Sequence, residues 1–209
     1  MLAGTGSDVG KSILAAAFCR ILKQDGYHPA PFKAQNMALN SYATPEGLEI
    51  GRAQAVQAEA AGVPCHTDMN PLLLKPSSEH TSQVVLLGKP IGDRNAYEYF
   101  RKEGREELRK VVNESYNRLA TRYNPIVMEG AGSISEINLR DVDLVNMPMA
   151  KHAGADVFLV ADIDRGGVFA SVYGSILLQT PEERSLIKGI IINKFRGDIR
   201  LFESGIKMI

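Results

Sequence analysis

Near its start the chain reads Gly4-Thr5-Gly6-Ser7-Asp8-Val9-Gly10-Lys11-Ser12, followed at once by the apolar run Ile13-Leu14-Ala15-Ala16-Ala17-Phe18. No other stretch restricts the fold as strongly. Three glycines allow a tight turn with left-handed backbone, and the apolar run after it must open a helix. A turn of this kind aims a row of backbone N–H groups at one point, and the helix N-terminus adds a positive dipole. Gly4, Thr5, Gly6, Ser7, Val9, Gly10, Lys11 and Ser12 are therefore the expected cradle for a polyphosphate. Lys11 is placed to reach the β- and γ-phosphates, and the Ser12 hydroxyl to ligate Mg²⁺. Five residues, one more than in the common phosphate-binding loop, separate Gly4 from Gly10. A helix-capping turn with incidental glycines leaves the Gly-Lys-Ser order at the helix start unexplained.

The remaining chain repeats one pattern, an apolar strand, a polar loop and a helix. The first helix is expected over about Lys11–Gln24, with Gly26 ending it. Pro29–Ala34 reads as a short strand with Lys33 at its exit, and Gln35–Ser41 as a polar loop. A helix from about Gly51 to Ala61 is closed by Gly62 and Pro64. Leu72–Leu74 and Val84–Leu87 flank a Pro-Ser-Ser turn and suit antiparallel strands at a sheet edge. A charged helix is expected from about Ala96 to Tyr123. Pro125–Met128, Val157–Ala161 and Gly189–Ile192 are continuously apolar strands. They exit at Glu129-Gly130-Ala131-Gly132, at Asp162-Ile163-Asp164-Arg165 and at Asn193-Lys194-Phe195-Arg196. Strands without alternation belong to parallel sheets covered on both faces, and such sheets bind ligands beyond their carboxyl ends. The expected fold is α/β, with a mostly parallel central sheet flanked by helices and possible antiparallel edge strands.

Composition narrows the partners. The 209 residues carry 24 basic and 24 acidic side chains, a formal net charge of zero, which removes the electrostatic case for nucleic acid or an anionic membrane. No apolar run is long enough to span a bilayer. Two cysteines, Cys19 and Cys65, do not make a disulfide framework, and the chain reads as reduced and cytoplasmic. His28, His66, His80 and His152 lack metal-ligand spacing. Both ends read as incomplete: only Met1-Leu2-Ala3 stand ahead of the turn, and Arg200–Ile209 reads as a helix with no strand after it. A piece of a longer protein is expected.

The Gly4–Ser12 turn, Pro31–Ser41, Glu49-Ile50-Gly51-Arg52-Ala53-Gln54 and Asn193–Asp198 together resemble the cobyric acid synthase family. More widely, the chain is similar to the P-loop NTPase-like amidases and ligases of the dethiobiotin synthetase type, which share the longer turn and the Glu-Gly-Ala-Gly loop. The resemblance runs the length of the chain. It implies ATP-dependent amidation of corrinoid carboxylates, with ATP and Mg²⁺ required and ammonia supplied from glutamine by a separate C-terminal glutaminase domain. Residues 1–209 would be the synthetase domain alone, because neither Ala17-Phe18-Cys19-Arg20 nor Pro64-Cys65-His66-Thr67 has the Gly-x-Cys-x-Gly turn of a glutaminase nucleophile. Enzymes of this fold often dimerise, so a homodimer is a further expectation.

Within that frame the polar residues take roles. Activating a carboxylate requires transfer of a phosphoryl group, which a protein assists by positioning and charge neutralisation. Glu129, at a buried strand's exit, suits Mg²⁺ either directly or through water, or else caps a helix or turn. Lys33 suits the acceptor carboxylate or the moving phosphate, or else is a surface lysine at a strand end. Asp8 either orients the attacking group or shapes the turn. Glu49, ahead of a helix, either ligates Mg²⁺ or caps that helix. Asn193 offers a donor and an acceptor to an adenine edge, or forms a turn. Gln35, Asn36, Asn40 and Ser41 suit a substrate rich in carboxylates and amides, and otherwise form a solvated loop. Asp164 either positions substrate or metal, or pairs within its own loop. Two other readings fit the turn: a related ligase such as a dethiobiotin synthetase or an a,c-diamide synthase, and a partitioning-type ATPase switch. The switch proteins carry an additional lysine early in the loop, where this chain has Thr5 and Gly6.

Overall fold

The computed structural model describes residues 1–78, 81–95 and 104–209. Five parallel strands make the central sheet. Strand β1 (Leu2–Gly4) pairs with β10 (Val157–Asp162), which pairs with β11 (Ile187–Asn193). On the other side β2 (Ala30–Phe32) pairs with β9 (Ile126–Met128), and a parallel bridge from Leu2 to Glu129 joins β9 to β1. The order is therefore β2-β9-β1-β10-β11. Every residue of β1 and β2 is buried, as are five of the six in β10, the signature of a sheet with both faces covered.

Side chains alternate between two cores. Leu2, Val160 and Phe32 join a cluster with Ala15, Cys19, Met69, Leu119 and Met128 on one face. Ala3, Leu159 and Ala161 join Met147, Val168 and Val172 on the other. Helix α1 (Lys11–Gln24) lays Lys11, Ala15 and Cys19 on the sheet, a stripe at four-residue spacing. Cys19 acts as the small apolar residue expected of it, and burial pushes its thiol up to about 12. Helix α2 (Arg52–Ala61) packs beside α1 and ends on left-handed Gly62, as the sequence predicts.

The antiparallel extension is present: β6 (Leu72–Pro76), β7 (Thr81–Leu86) and β8 (Lys89–Asn95) pair in turn. Its attachment corrects the reading of Gln35–Ser41 as a plain loop. Gln35–Met37 forms β3, parallel to β6, and Ser41–Ala43 forms β4, antiparallel to β5 (Glu49–Gly51). Along β3, Asn36 points inward while Met37 points out. A buried asparagine reads as a solvated one until its partner is known, so its polarity hides the strand. Helix α3 (Arg105–Ala120) carries the charged stretch; residues 96–103 of the expected helix lie outside the described residues. Three further helices are α4 (Met147–Ala153), α5 (Val168–Leu177) and α6 (Pro181–Leu186), and the chain ends in α7 (Glu203–Met208). Among the described residues no helix is long and apolar enough to cross a membrane.

Gly51 is the tight point between β5 and α2. Its N–H donates to Asn70 Oδ1 at 3.0 Å, and a Cβ there would lie 2.6 Å from both Asn36 Nδ2 and Gln54 Oε1. Its φ of −61° is ordinary, so the constraint is space, not backbone strain. Gly51→Ala is expected to destabilise by about 1–3 kcal/mol through overpacking, read as a lower urea midpoint. Gly174→Ala, mid-helix in α5 with open space around it, is expected to hold or raise that midpoint.

Candidate nucleotide site

The Gly4–Ser12 turn leaves β1 and is tied to its neighbours by backbone. Thr5 N–H donates to Val160 O at 3.0 Å, and Ile134 N–H to Gly4 O at 3.1 Å. Ser133 Oγ donates to Thr5 O at 3.0 Å. Asp8 and Gly10 both take left-handed backbone, φ 59° and 103°, and so bend the chain into the first turn of α1. Asn193 Nδ2 donates to Val9 O at 2.7 Å, and a Cβ on Gly10 would collide with that carboxamide. The glycine is therefore required twice, for its φ and for its closeness to Asn193.

Lys11 begins the helix and folds back over the turn. Its Nζ donates to Gly6 O and to Gly132 O, both at 2.7 Å. Burial pulls the lysine pKa down to about 8, helped by repulsion from Lys33 and opposed by Glu129 and Asp8.

Glu129, only 2% exposed, is the centre of the site. Its Oε1 accepts from Ser12 Oγ and from Lys33 Nζ, each at 2.7 Å, and its Oε2 accepts from Gln57 Nε2 at 2.7 Å. Gln57 Nε2 also reaches Ser12 O at 3.2 Å. Three separate segments thus deliver one side chain each to a single buried carboxylate on a fourth. Lys33 is aimed there by its own backbone: its N–H donates to Met69 O at 2.8 Å and its carbonyl accepts from Asn70 Nδ2 at 3.1 Å.

A cavity of about 720 Å³ opens above this floor. Of the expected residues, Ser7, Asp8, Gly10, Lys11, Ser12, Lys33, Gln35, Asn36 and Glu129 line it. Its far wall comes from the 131–148 segment, Arg105 and Gln179. The other expected residues stand elsewhere. Glu49 is held 2.6 Å from Lys75 Nζ; burial would raise its carboxyl, but hydrogen bonds from Lys75 and Ser41 outweigh that and lower it. Asp164 lies 3.5 Å from Arg196 Nε, and its N–H donates to Asp162 Oδ1 at 2.9 Å. Asp162 in turn is held below its ordinary pKa by Lys194. Asn40, Ser41 and Asn193 also lie outside the cavity wall.

Sequence reasoning missed Gln57 and Arg105. In α2 the buried face consists of Gln54, Ala55, Gln57, Ala58 and Ala61. Glutamines among alanines on an inward stripe were the available signal. Arg105 opens α3 and is buried beside the cavity, next to residues whose pattern reads as a solvated face.

The donor set can be tested against Mg²⁺. Ser12 Oγ and a Glu129 oxygen are adjacent hard-oxygen donors at the lip of the turn, and no described residues form a group of three or more His, Cys, Asp or Glu suited to a metal. One hydroxyl and one carboxylate, completed by waters and phosphate oxygens, is the arrangement Mg²⁺ favours. The residues fit.

A glycine turn between strand and helix, with Lys-Ser at the helix start and a buried carboxylate on the adjacent strand, defines a P-loop-type nucleotide-binding α/β domain. All 209 residues match the family described as "CbiA: CobQ/CobB/MinD/ParA nucleotide binding domain", and the chain belongs to that family. It is 86% identical over its whole length to the cobyric acid synthase of Bacteroides fragilis and 85% to that of Phocaeicola vulgatus. It is 67% identical over 206 residues to that of Parabacteroides distasonis. The chain spans about 42% of the length of these curated relatives.

The depressed Lys11 pKa has a measurable consequence. With its pKa drawn down to about 8, part of the free lysine is neutral at pH 8, and a bound triphosphate must raise that pKa by attraction. Binding of ATP is therefore expected to take up a fraction of a proton per site at pH 8. Calorimetry in two buffers of different ionisation enthalpy checks this, and equal apparent enthalpies in both would contradict it.

Proposed function

We propose that this chain is the ATP-using synthetase domain of a cobyric acid synthase, acting in cobalamin biosynthesis in the cytoplasm. In this reading it activates the b, d, e and g carboxylates of adenosylcobyrinic acid a,c-diamide. A carboxylate oxygen attacks the γ-phosphorus of ATP, the bond to the bridging oxygen breaks, and ADP leaves. Ammonia then attacks the acyl carbon, phosphate departs with the C–O electron pair, and a proton is lost to give the amide. Ammonia comes from glutamine, hydrolysed in a glutaminase domain outside these residues. The relatives' common name and the family match support the class of reaction. The observation that carries the reading is the convergence of Ser12, Lys33 and Gln57 on Glu129 at the base of a cavity that also opens to the Gly4–Ser12 turn.

The roles follow from that floor. Lys11 leaves its two carbonyls for the β- and γ-phosphate oxygens, where its charge offsets what develops during transfer. When bound, Mg²⁺ supplies neutralisation of the phosphate charge, held by Ser12 and Glu129. Lys33, anchored by Glu129, presents its remaining donor positions to the incoming carboxylate. Asp8, at the cavity's phosphate end, orients the attacking group. Gln35 and Asn36 face the acceptor, while Asn40, Ser41 and Asp164, which do not line the cavity, would meet only the outer edge of a molecule as wide as a corrin. Asn193 has its Nδ2 committed to Val9, so Oδ1 is what it offers the adenine amino group.

Full-length protein carrying Lys11→Ala is expected to lose about 10²-fold or more in ATP-dependent amidation while keeping its circular dichroism and melting temperature. Amide formation on the corrinoid, followed by mass spectrometry with ammonium chloride supplied directly, reads this out. Near-full activity in the folded variant, or a wild type that prefers a diamino acid and bicarbonate, would overturn the assignment.

A further inference from the structure

Two buried side-chain atoms in helix α2 meet no protein partner among the described residues: Gln54 Nε2 and Gln57 Oε1. Both residues are essentially inaccessible, 0% and 1% exposed. An unmet buried polar atom forfeits its hydration without a return, so a pair of them in one helix calls for an explanation.

Their orientations are fixed by obligatory neighbours. Glu129 as a carboxylate only accepts, so Gln57 must turn its NH₂ group toward Oε2, at 2.7 Å, leaving its own carbonyl oxygen over. At the other end, Met37 N–H donates to Asn36 Oδ1 at 3.0 Å. Asn36 must then offer its NH₂ group to Gln54 Oε1, at 3.0 Å, which leaves Gln54 with a spare donor. The leftover atoms are one donor and one acceptor, three positions apart on the inward face of one helix, where side chains are neighbours. A single water between them would satisfy both.

We infer that Asn36, Gln54, Gln57 and Glu129 form one directional chain of hydrogen bonds, closed by a water between the two glutamines, that ties the acceptor wall to the phosphate-side carboxylate. Every NH₂ group in it points the same way, from the β3 strand lining the cavity toward Glu129. Gln57 is a positioning residue: it holds Oε2 so that Oε1 faces Ser12 and Lys33. Gln54 passes to it any displacement of Asn36 by a bound acceptor. This rests on the reading of the cavity as the joint site of nucleotide and acceptor.

The test is a double-mutant cycle in the full-length enzyme, with adenosylcobyrinic acid a,c-diamide, Mg-ATP and ammonium chloride. Gln54→Leu is expected to lower kcat/KM for the corrinoid about tenfold, with ATP affinity in its absence changed less than twofold. Gln57→Leu is expected to lower it further, and the double variant to match Gln57→Leu within about twofold, because a chain can be severed only once. Gln54→Met, unbranched and of similar length, serves if the leucine variant does not fold. Losses that multiply in the double variant, or a folded Gln54 variant with unchanged corrinoid KM, would overturn the inference. A wild type whose ATP turnover ignores the corrinoid would instead overturn the functional reading beneath it, and this inference with it.

Discussion

The buried carboxylate of Glu129 is the interaction on which the rest of the site depends. A charge in that position is tolerated only with a counter-charge and hydrogen bonds to both oxygens. Lys33 provides the counter-charge, and Ser12 and Gln57 complete the set. These four side chains come from the exit of β9, the exit of β2, the start of α1 and the middle of α2. They meet only if β2, β9 and β1 lie side by side in parallel and both helices cover the same face. The carboxylate therefore specifies the arrangement of the elements as firmly as the apolar core does. Loss of any one donor would leave a desolvated charge short of a partner.

Charge at this floor is balanced for something that is added. Burial, with repulsion from Lys33 beside it, draws the Lys11 pKa down, while Glu129 and Asp8 oppose that shift. An anion arriving above the turn relieves that repulsion and keeps the lysine charged. The same feature that costs the free fold some electrostatic comfort therefore favours a polyphosphate over a neutral ligand. Backbone holds the turn in shape, through Thr5 and Val160, Gly4 and Ile134, so its N–H groups need no reorganisation when charge appears.

Much of this was legible in the amino-acid order, and the reason is locality. The turn, its helix and the strands β9, β10 and β11 are written in contiguous residues, whether as glycine spacing or as unbroken apolar runs. Glu129 stood out because glycines follow it at a strand exit. What escaped reading is polar burial: from sequence Asn36 belongs to the site but in a loop, and Gln57 does not stand out there at all. Both carry side chains that default to solvent, and only partners distant in sequence make their burial favourable. Glu49 shows the converse: its position ahead of a helix suited metal or cap, yet β6 brings Lys75 to it, a pairing set by sheet topology rather than by neighbouring residues.

The cavity divides the work between two kinds of structure. Its phosphate end is built from main chain and from charged groups held by main chain, which bind any triphosphate alike. Its far wall, from Gln35 and Asn36 across to the 131–148 segment, mixes Ile134, Ile137, Leu139 and Val142 with Arg105 and Arg140. An apolar surface carrying separated cations and amides complements a broad ring edged with carboxylates and amides better than it does a small linear acid. Arg140 is anchored at 2.6 Å on Leu178 O, so its guanidinium is held before a ligand arrives, and Arg105 is buried in the same wall. In the proposed function, discrimination between acceptors belongs to this wall and the activation chemistry to the floor, so that a changed wall would alter which acid is activated without altering how.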